Sequence, residues 1–397
     1  MKKQELSELL LKWYNAHGRT LPWRVKGGAH PDPYVVLVSE FMLQQTTVKT
    51  VLDYFPGFLK RFPTAESLAA ADLEEVYRYW QGLGYYTRAR SLYATAQTVV
   101  NEFDGKFPQN REEVLKLKGI GTYTAASFLA LAFNLPETVV DGNVIRIICR
   151  LHHLTAPVAE IENLIREKAA ALTDRKHPAD YASAIMDLGA MVCTPKNPQC
   201  LLCPWQHECL SRGLPELERI PNRAKPAKKK KNGSVCLIFN AKGEILIRKR
   251  SEKGLLSGLY EFPWTDEGSL PFDGLNDTGL NVFHVFTHIR LNLEIYVLHI
   301  NSDIPPVADG FFTAIEKLSD YPFSTLMKKV CAKALPAAAA APAKPVKSQK
   351  NSVGRSRRRK NTGITPPARR LLLQIRANNI NHFKTQILSQ KLRKSVD

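Results

Sequence analysis

Leu117-Lys-Gly-Ile-Gly-Thr-Tyr-Thr-Ala125 runs into an apolar stretch reaching Phe133, and the chain returns through Val139-Val-Asp-Gly-Asn143. The pattern predicts a helix, a Gly-x-Gly turn and a second helix from about Thr124 to Phe133. Without side chains at Gly119 and Gly121, the turn can adopt positive φ and aim backbone N–H groups at an anion. The second helix opens at that turn, so its unpaired N–H groups and its dipole favour a phosphate there. Asp141 comes back beside Gly142. A phosphate grip and a carboxylate on one short unit suit an enzyme that works on a nucleic-acid backbone. Gly-x-Gly alone is a weak signal, so the rest of the chain must support this reading.

The chain has 397 residues, enough for two or three domains, and 44% hydrophobic residues, enough for real cores. Its formal net charge of +19 points to a polyanionic partner. Residues 331–397 hold 16 Lys or Arg against one acid, Asp397, so the tail carries +15 and the remainder only +4. The basicity is therefore mainly a tail property. The start, Met1-Lys-Lys-Gln-Glu-Leu-Ser-Glu-Leu-Leu10, reads as an amphipathic helix rather than a secretory signal. No segment approaches the roughly 20 apolar residues of a membrane span. Seven cysteines, four of them between Cys193 and Cys209, do not resemble a disulfide framework. The expectation is a soluble intracellular protein without membrane contact, cytoplasmic or nucleoid-associated if bacterial.

Residues 1–221 read as helical, with apolar residues at helical spacing in 33–55, 66–80, 88–103, 111–117, 123–133, 143–152, 159–171 and 179–192. Residues 222–232 form a Pro/Lys linker with nothing to bury. The period then changes. Ser234–Phe239, Ile245–Ile247 and Leu291–Leu298 read as strands, which makes 233–330 a small α/β or α+β domain. Residues 331–397 are Ala/Pro-rich and then Arg-rich, a disordered tail with one basic helix near 367–393. The fold class expected is thus multidomain: all-helical first, then α+β.

Cys193, Cys200, Cys203 and Cys209 are spaced Cys-x6-Cys-x2-Cys-x5-Cys. Four thiolates in one loop make a metal or cluster site, and the spacing alone does not separate zinc from iron–sulfur. His207 could substitute as a ligand, though a lone surface histidine is the plainer reading.

Taken together, these residues resemble a family. Leu117–Gly121, Val140–Asn143 and the cysteine spacing are similar to the helix-hairpin-helix DNA glycosylases that carry a 4Fe–4S cluster. Leu21-Pro-Trp-Arg24, Asp32-Pro-Tyr34, Val38-Ser-Glu-Phe-Met-Leu-Gln-Gln-Thr46, Gly82-Leu-Gly-Tyr-Tyr-Thr-Arg-Ala89 and the second domain narrow the resemblance. The chain looks like a MutY-type adenine DNA glycosylase over about 10–330. Such enzymes remove adenine mispaired with 8-oxoguanine, which implies one 4Fe–4S cluster on the four cysteines rather than zinc.

Breaking a base–sugar bond calls for an acid at the leaving base and a carboxylate at the sugar cation. The target base must also leave the duplex stack. Glu40 lies in the apolar run Val35–Leu43, where burial would keep it protonated. The family's matching Glu is the general acid at adenine N7, although a satisfied helix carboxylate is the bland alternative. Asp141 would face the developing oxocarbenium ion and help activate water, yet Asp before Gly-Asn is also an ordinary N-cap. Asn143 would orient the aspartate or the attacking water. Tyr123 stands where bifunctional relatives such as endonuclease III place a Schiff-base lysine, and a phenol cannot serve as that amine. This implies a monofunctional enzyme with Tyr123 as catalytic support.

For DNA, Gln44 and Gln45 follow Glu40 on what reads as the same helix, Gln44 sharing its face. The resemblance puts this Gln pair at the lesion, with Gln45 entering the stack. Tyr85, on the Gly82-x-Gly84 turn, resembles the family's wedge; the alternative is a local core of Tyr85 and Tyr86. Arg19 and Trp23 match residues that line the adenine pocket. Ser183 departs from the Glu or Gln of some relatives, and Val25–Pro31 is longer than usual.

Gly254–Trp264 resembles the Nudix-like C-terminal domain of these enzymes, without the Glu-dense helix that pyrophosphate hydrolysis needs. Phe286-Thr-His288 matches the family's Phe-Ser-His loop that reads 8-oxoguanine, and Thr287 keeps the hydroxyl. Plain turn residues are the alternative there. The expectation is a monomer acting on double-stranded DNA with an 8-oxoguanine:A or G:A mispair. A thymine or uracil mismatch glycosylase and a non-catalytic lesion-binding relative are the other two readings. The basic linker and tail would add salt-dependent affinity, or serve solubility or targeting.

Overall fold

A computed structural model describes residues 3–25, 31–223, 228–251, 254–267, 270 and 272–338. Most of the 25–31 segment, linker residues 224–227 and the tail from 339, with its expected helix at 367–393, lie outside the described residues. The chain divides into two compact units, Met1–Ala227 and Lys228–Asp397.

The first unit is helical: α1 (Lys3–His17), α2 (Pro33–Leu43), α3 (Val48–Arg61), α4 (Ala65–Ala69), α5 (Leu73–Trp80), α6 (Thr87–Glu102), α7 (Arg111–Lys116), α8 (Thr122–Phe133), α9 (Gly142–Leu151), α10 (Glu162–Leu172) and α11 (Pro178–Met191). Helix α2 starts where Asp32 Oδ1 accepts the Tyr34 N–H at 2.8 Å and Pro33 occupies the first turn. It is apolar all round, and so is α8; both are buried on nearly every side. Helix α8 packs on α2, α7 and α11, and α11 also meets α1 and α9. These helices carry the candidate catalytic residues.

Two expected helices are broken. The 33–55 pattern ends at Gln44, whose ψ of 114° leaves the helix, and resumes at Val48. The 66–80 pattern divides at Asp72, whose carboxylate caps α5 by accepting the Glu74 N–H. At the hairpin, only Gly119 uses positive φ (+79°); a Cβ there would meet Ser91 Cβ at 2.5 Å. Gly121 is extended (φ −97°, ψ −179°), so the expectation of positive φ does not extend to it. No side chain caps α8, which leaves its first N–H groups open.

The second unit holds β1 (Lys229–Phe239), β2 (Ile245–Lys249), β3 (Tyr260–Glu261), β4 (Trp264–Thr265), β5 (Asn276–Val285), β6 (Ile289–His299), β7 (Gly310–Thr313) and α12 (Thr325–Ala338). Strand order is β3-β2-β1-β6-β5, with β4 on β1 and β7 on β2. The β1–β6 pair is parallel, in register from Lys229↔Ile289 to Phe239↔His299, and the other pairs are antiparallel. Lys229–Lys231, expected in the linker, is therefore strand. From Gly233 onward β1 is buried on both faces. Helix α12 covers one face with Leu326, Met327, Val330, Cys331 and Ala334. Folded structure thus runs beyond residue 330, into what read as tail. Among the described residues, α12 is the unit's one α-helix, and Thr325–Ala338 contains no acid. No Glu-dense Nudix helix is present there.

Candidate active site

Glu40 sits on the buried α2 with only 4% of its surface exposed. Burial raises its pKa to about 7; the Ser127 hydroxyl and Arg24 oppose this, and the Asp141 charge reinforces it. Tyr123, at the start of α8, is held well above the usual phenol value by burial, then by the charges of Glu40 and Asp141. Its hydroxyl donates to Met186 Sδ at 3.4 Å. Glu40, Asp141, Tyr123 and Arg24 thus form one electrostatic neighbourhood.

Asp141 is the N-cap of α9. Its Oδ1 accepts the N–H groups of Asn143 (2.8 Å) and Val144 (2.7 Å). Its Oδ2 accepts Asn143 Nδ2 at 2.9 Å. Arg146 Nη2 donates to Asn143 Oδ1 at 2.9 Å, which fixes the amide so that its NH2 faces Asp141. Arg146 also donates to the carbonyls of Cys193 (2.7 Å) and Gly189 (2.7 Å). The cap fixes the direction of the Asp141 carboxylate.

The segment between α1 and α2 is anchored on Asp187, fully buried in α11. Asp187 accepts the backbone N–H of Arg19 (2.8 Å), Arg19 Nε (3.0 Å) and Nη2 (2.7 Å), and Arg24 Nη1 (2.7 Å). The Arg19 guanidinium is therefore committed to Asp187. Trp23 is buried in a T-shaped contact with Phe55, ring centroids 5.0 Å apart. Ser183 is buried beside the hydroxyl of Tyr14, its hydrogen-bond partner.

Gln44 is not on the Glu40 helix, as its sequence position implied, but at its C-cap, where Nε2 donates to Thr124 Oγ1 at 3.2 Å. Gln45 is exposed and left-handed (φ 56°), and so is Tyr85 (φ 49°), 45% exposed. Tyr86, by contrast, is core. In the second unit, Phe286-Thr-His288 links β5 to β6, with Thr287 and His288 exposed and the Phe286 N–H donating to Ile289 O at 2.8 Å.

Cys193, Cys200, Cys203 and Cys209 line one pocket with Arg150 and Arg212. Among the described residues no three His, Cys, Asp or Glu side chains close on a single point. Four thiols lining one pocket are a donor set that a thiolate-held cluster or a zinc ion would use. Buried Arg150 places Nη1 3.6 Å from Cys193 Sγ, supplying positive charge that a thiolate-held cluster needs nearby. His207 is exposed and outside the pocket.

Comparison with known proteins matches residues 38–171 to the HhH-GPD superfamily of base excision DNA repair proteins. Residues 193–209 match the iron–sulfur binding domain of endonuclease III, and 234–333 a NUDIX domain. An adenine DNA glycosylase of Homo sapiens is 33% identical over 396 residues, covering 81% of this chain and 72% of that protein. One from Buchnera aphidicola (subsp. Baizongia pistaciae) is 36% identical, covering 73% of this chain and 84% of that one. The chain belongs to the adenine DNA glycosylase family. It is accordingly a base-excision repair enzyme that acts on DNA and holds the family's 4Fe–4S cluster, for which the four thiols fit as ligands. No described helix is long and apolar enough to cross a membrane.

The sequence reading passed over Asp187, Arg24, Ser127, Arg146 and Arg88 as site residues. Asp187 had a signal: a lone acid in the apolar run Ala184-Ile-Met-Asp-Leu-Gly-Ala-Met191, like Glu40 in its own helix.

Proposed function

We propose that this chain hydrolyses the N-glycosidic bond of adenine paired with 8-oxoguanine or guanine in duplex DNA, as an intracellular, monofunctional monomer. The observation that carries this reading is the pairing of a buried, protonatable Glu40 with an aimed carboxylate at Asp141. Glu40 delivers its proton to the departing base at N7, which leaves as neutral adenine. Asp141, held by its cap and by Asn143, faces the sugar cation and directs water to it. Tyr123 keeps its phenol proton and offers no amine, so strand cleavage through a Schiff base has no nucleophile at this position. Trp23, Arg24 and Ser183 bound the base pocket; Arg19 acts on it through Asp187. Gln45 and Tyr85 enter the duplex, Gln44 sets the turn beneath them, and Gly119 and Gly121 hold the backbone phosphate. Cys193, Cys200, Cys203 and Cys209 ligate the cluster, which supplies structural bracing when bound. The work divides between units, with excision in the first and the opposite base read by Phe286, Thr287 and His288 in the second.

One assay decides among the readings. Duplexes carrying adenine opposite 8-oxoguanine or guanine, and thymine or uracil opposite guanine, are incubated with the protein and treated with alkali. Adenine release, with breaks appearing only after alkali, is expected. Release of thymine or uracil alone, or binding without any release, would sink the proposal.

A further inference from the structure

Arg88, at the start of α6, is a buried arginine, only 6% exposed, whose partners among the described residues include no carboxylate. Its Nη1 donates to the carbonyls of Phe41 (2.9 Å), Met42 (2.8 Å) and Gln44. Its Nη2 donates to Thr46 Oγ1 (3.1 Å), Leu83 O (3.2 Å) and Gly84 O (3.1 Å). The guanidinium also lies 5.3 Å from the Tyr85 ring centroid and 5.5 Å from that of Trp80.

Two of these acceptors, Phe41 and Met42, are in the last turn of α2, where the helix cannot satisfy its own carbonyls. The others bracket Gln45 on both sides and precede Tyr85. Both Gln45 and Tyr85 hold positive φ without being glycine, a conformation that persists only when its surroundings impose it. A single planar fork spans the two turns. Lysine, a point charge with three donors, cannot reach acceptors in both directions.

We propose that Arg88 is a positioning residue that locks the Gln45 and Tyr85 turns into one preformed, two-pronged probe for the duplex. The inference rests on the reading of Gln45 and Tyr85 as the side chains that enter the stack. A preformed probe spares the complex the ordering of two loops on binding. Arg88 touches no reacting atom, so its effect on excision must pass through the two prongs.

The test is single-turnover excision of adenine opposite 8-oxoguanine by the full chain, with Arg88→Lys placed in two backgrounds. In the native background the variant is expected to lose about tenfold in rate. On top of Gln45→Ala/Tyr85→Ala it should lose less than about twofold, because residues acting through one unit are not additive. Equal losses in the two backgrounds, or none in the native one, overturn the proposal. Thr46→Val, which removes one acceptor and spares the buried cation, guards against a failure to fold. It should cost about threefold in the native background and nothing in the doubly truncated one; no native loss overturns the proposal. If Gln45→Ala/Tyr85→Ala excises as fast as the native chain, the probe reading itself falls, and Arg88's role with it.

Discussion

A carboxyl group that must reach the leaving base with its proton on needs an environment hostile to charge. Glu40 has one: burial in α2 lifts it from 4.5 to about 7, against the pull of Arg24. Excision by the native chain should therefore fall as pH rises from 6 to 9, with the midpoint near 7. Glu40→Gln should lose about 10²–10⁴-fold in single-turnover rate and show no such fall. The same shift has a consequence for stability. A group whose folded pKa is raised stabilises the fold below its unfolded pKa, and that contribution is lost as pH rises through the folded value. Across pH 4.5–7 the native chain should lose about 3 kcal/mol that Glu40→Gln keeps, measurable by urea unfolding at pH 5 and pH 8. Asp141 poses the opposite problem, since its cap uses the same oxygens that the proposed chemistry needs. Asparagine keeps the backbone cap through its Oδ1 but sets its NH2 against that of Asn143, so Asp141→Asn should cost about 1–2 kcal/mol while excision collapses. Unchanged excision would reduce Asp141 to a cap.

At the scale of elements, the hairpin's two glycines part company. Gly119 is left-handed and its Cβ would strike Ser91, so Gly119→Ala should cost about 1–3 kcal/mol in thermal unfolding. Gly121 is extended, and a Cβ there meets no atom within 4 Å. Gly121→Ala should cost less than about 1 kcal/mol yet weaken DNA binding, because the methyl stands where the phosphate would approach. A Gly121→Ala variant that binds normally would dissociate this turn from the DNA backbone. The helices themselves were legible because their apolar periodicity is strong, and Glu40 and Asp187 stand out as acids within it. The break at Gln44 was not legible. Glutamine is a good helix former, and what ends α2 is a guanidinium from 44 residues downstream. Likewise, Lys229–Lys231 read as linker by composition, but the parallel neighbour β6 makes them strand. Cys331 and Ala334 lie on the apolar stripe of α12, and the Ala/Pro run that follows disguised it as tail.

For the whole molecule, charge is distributed in a way that separates chemistry from attraction. Residues 339–397 hold 15 Lys or Arg and one Asp, so +14 of the total +19 lies beyond the last described helix. Every catalytic candidate lies before it. Each phosphate neutralised by a cation releases condensed counterions, so the slope of log K against log salt reports how many phosphates the protein neutralises. A chain ending at Ala338 should therefore keep the single-turnover excision rate of the full chain at saturating enzyme. It should bind duplex DNA more weakly at low salt, with a slope shallower by about 0.9 for each phosphate that the tail neutralises in the full chain. The weakening should be equal for mispaired and fully paired duplexes, because a cation on a phosphate carries no sequence information. An unchanged slope would remove the tail from the DNA interface and leave affinity to the two folded units. A weakening confined to mispaired duplexes would instead assign the tail to lesion recognition, against its composition.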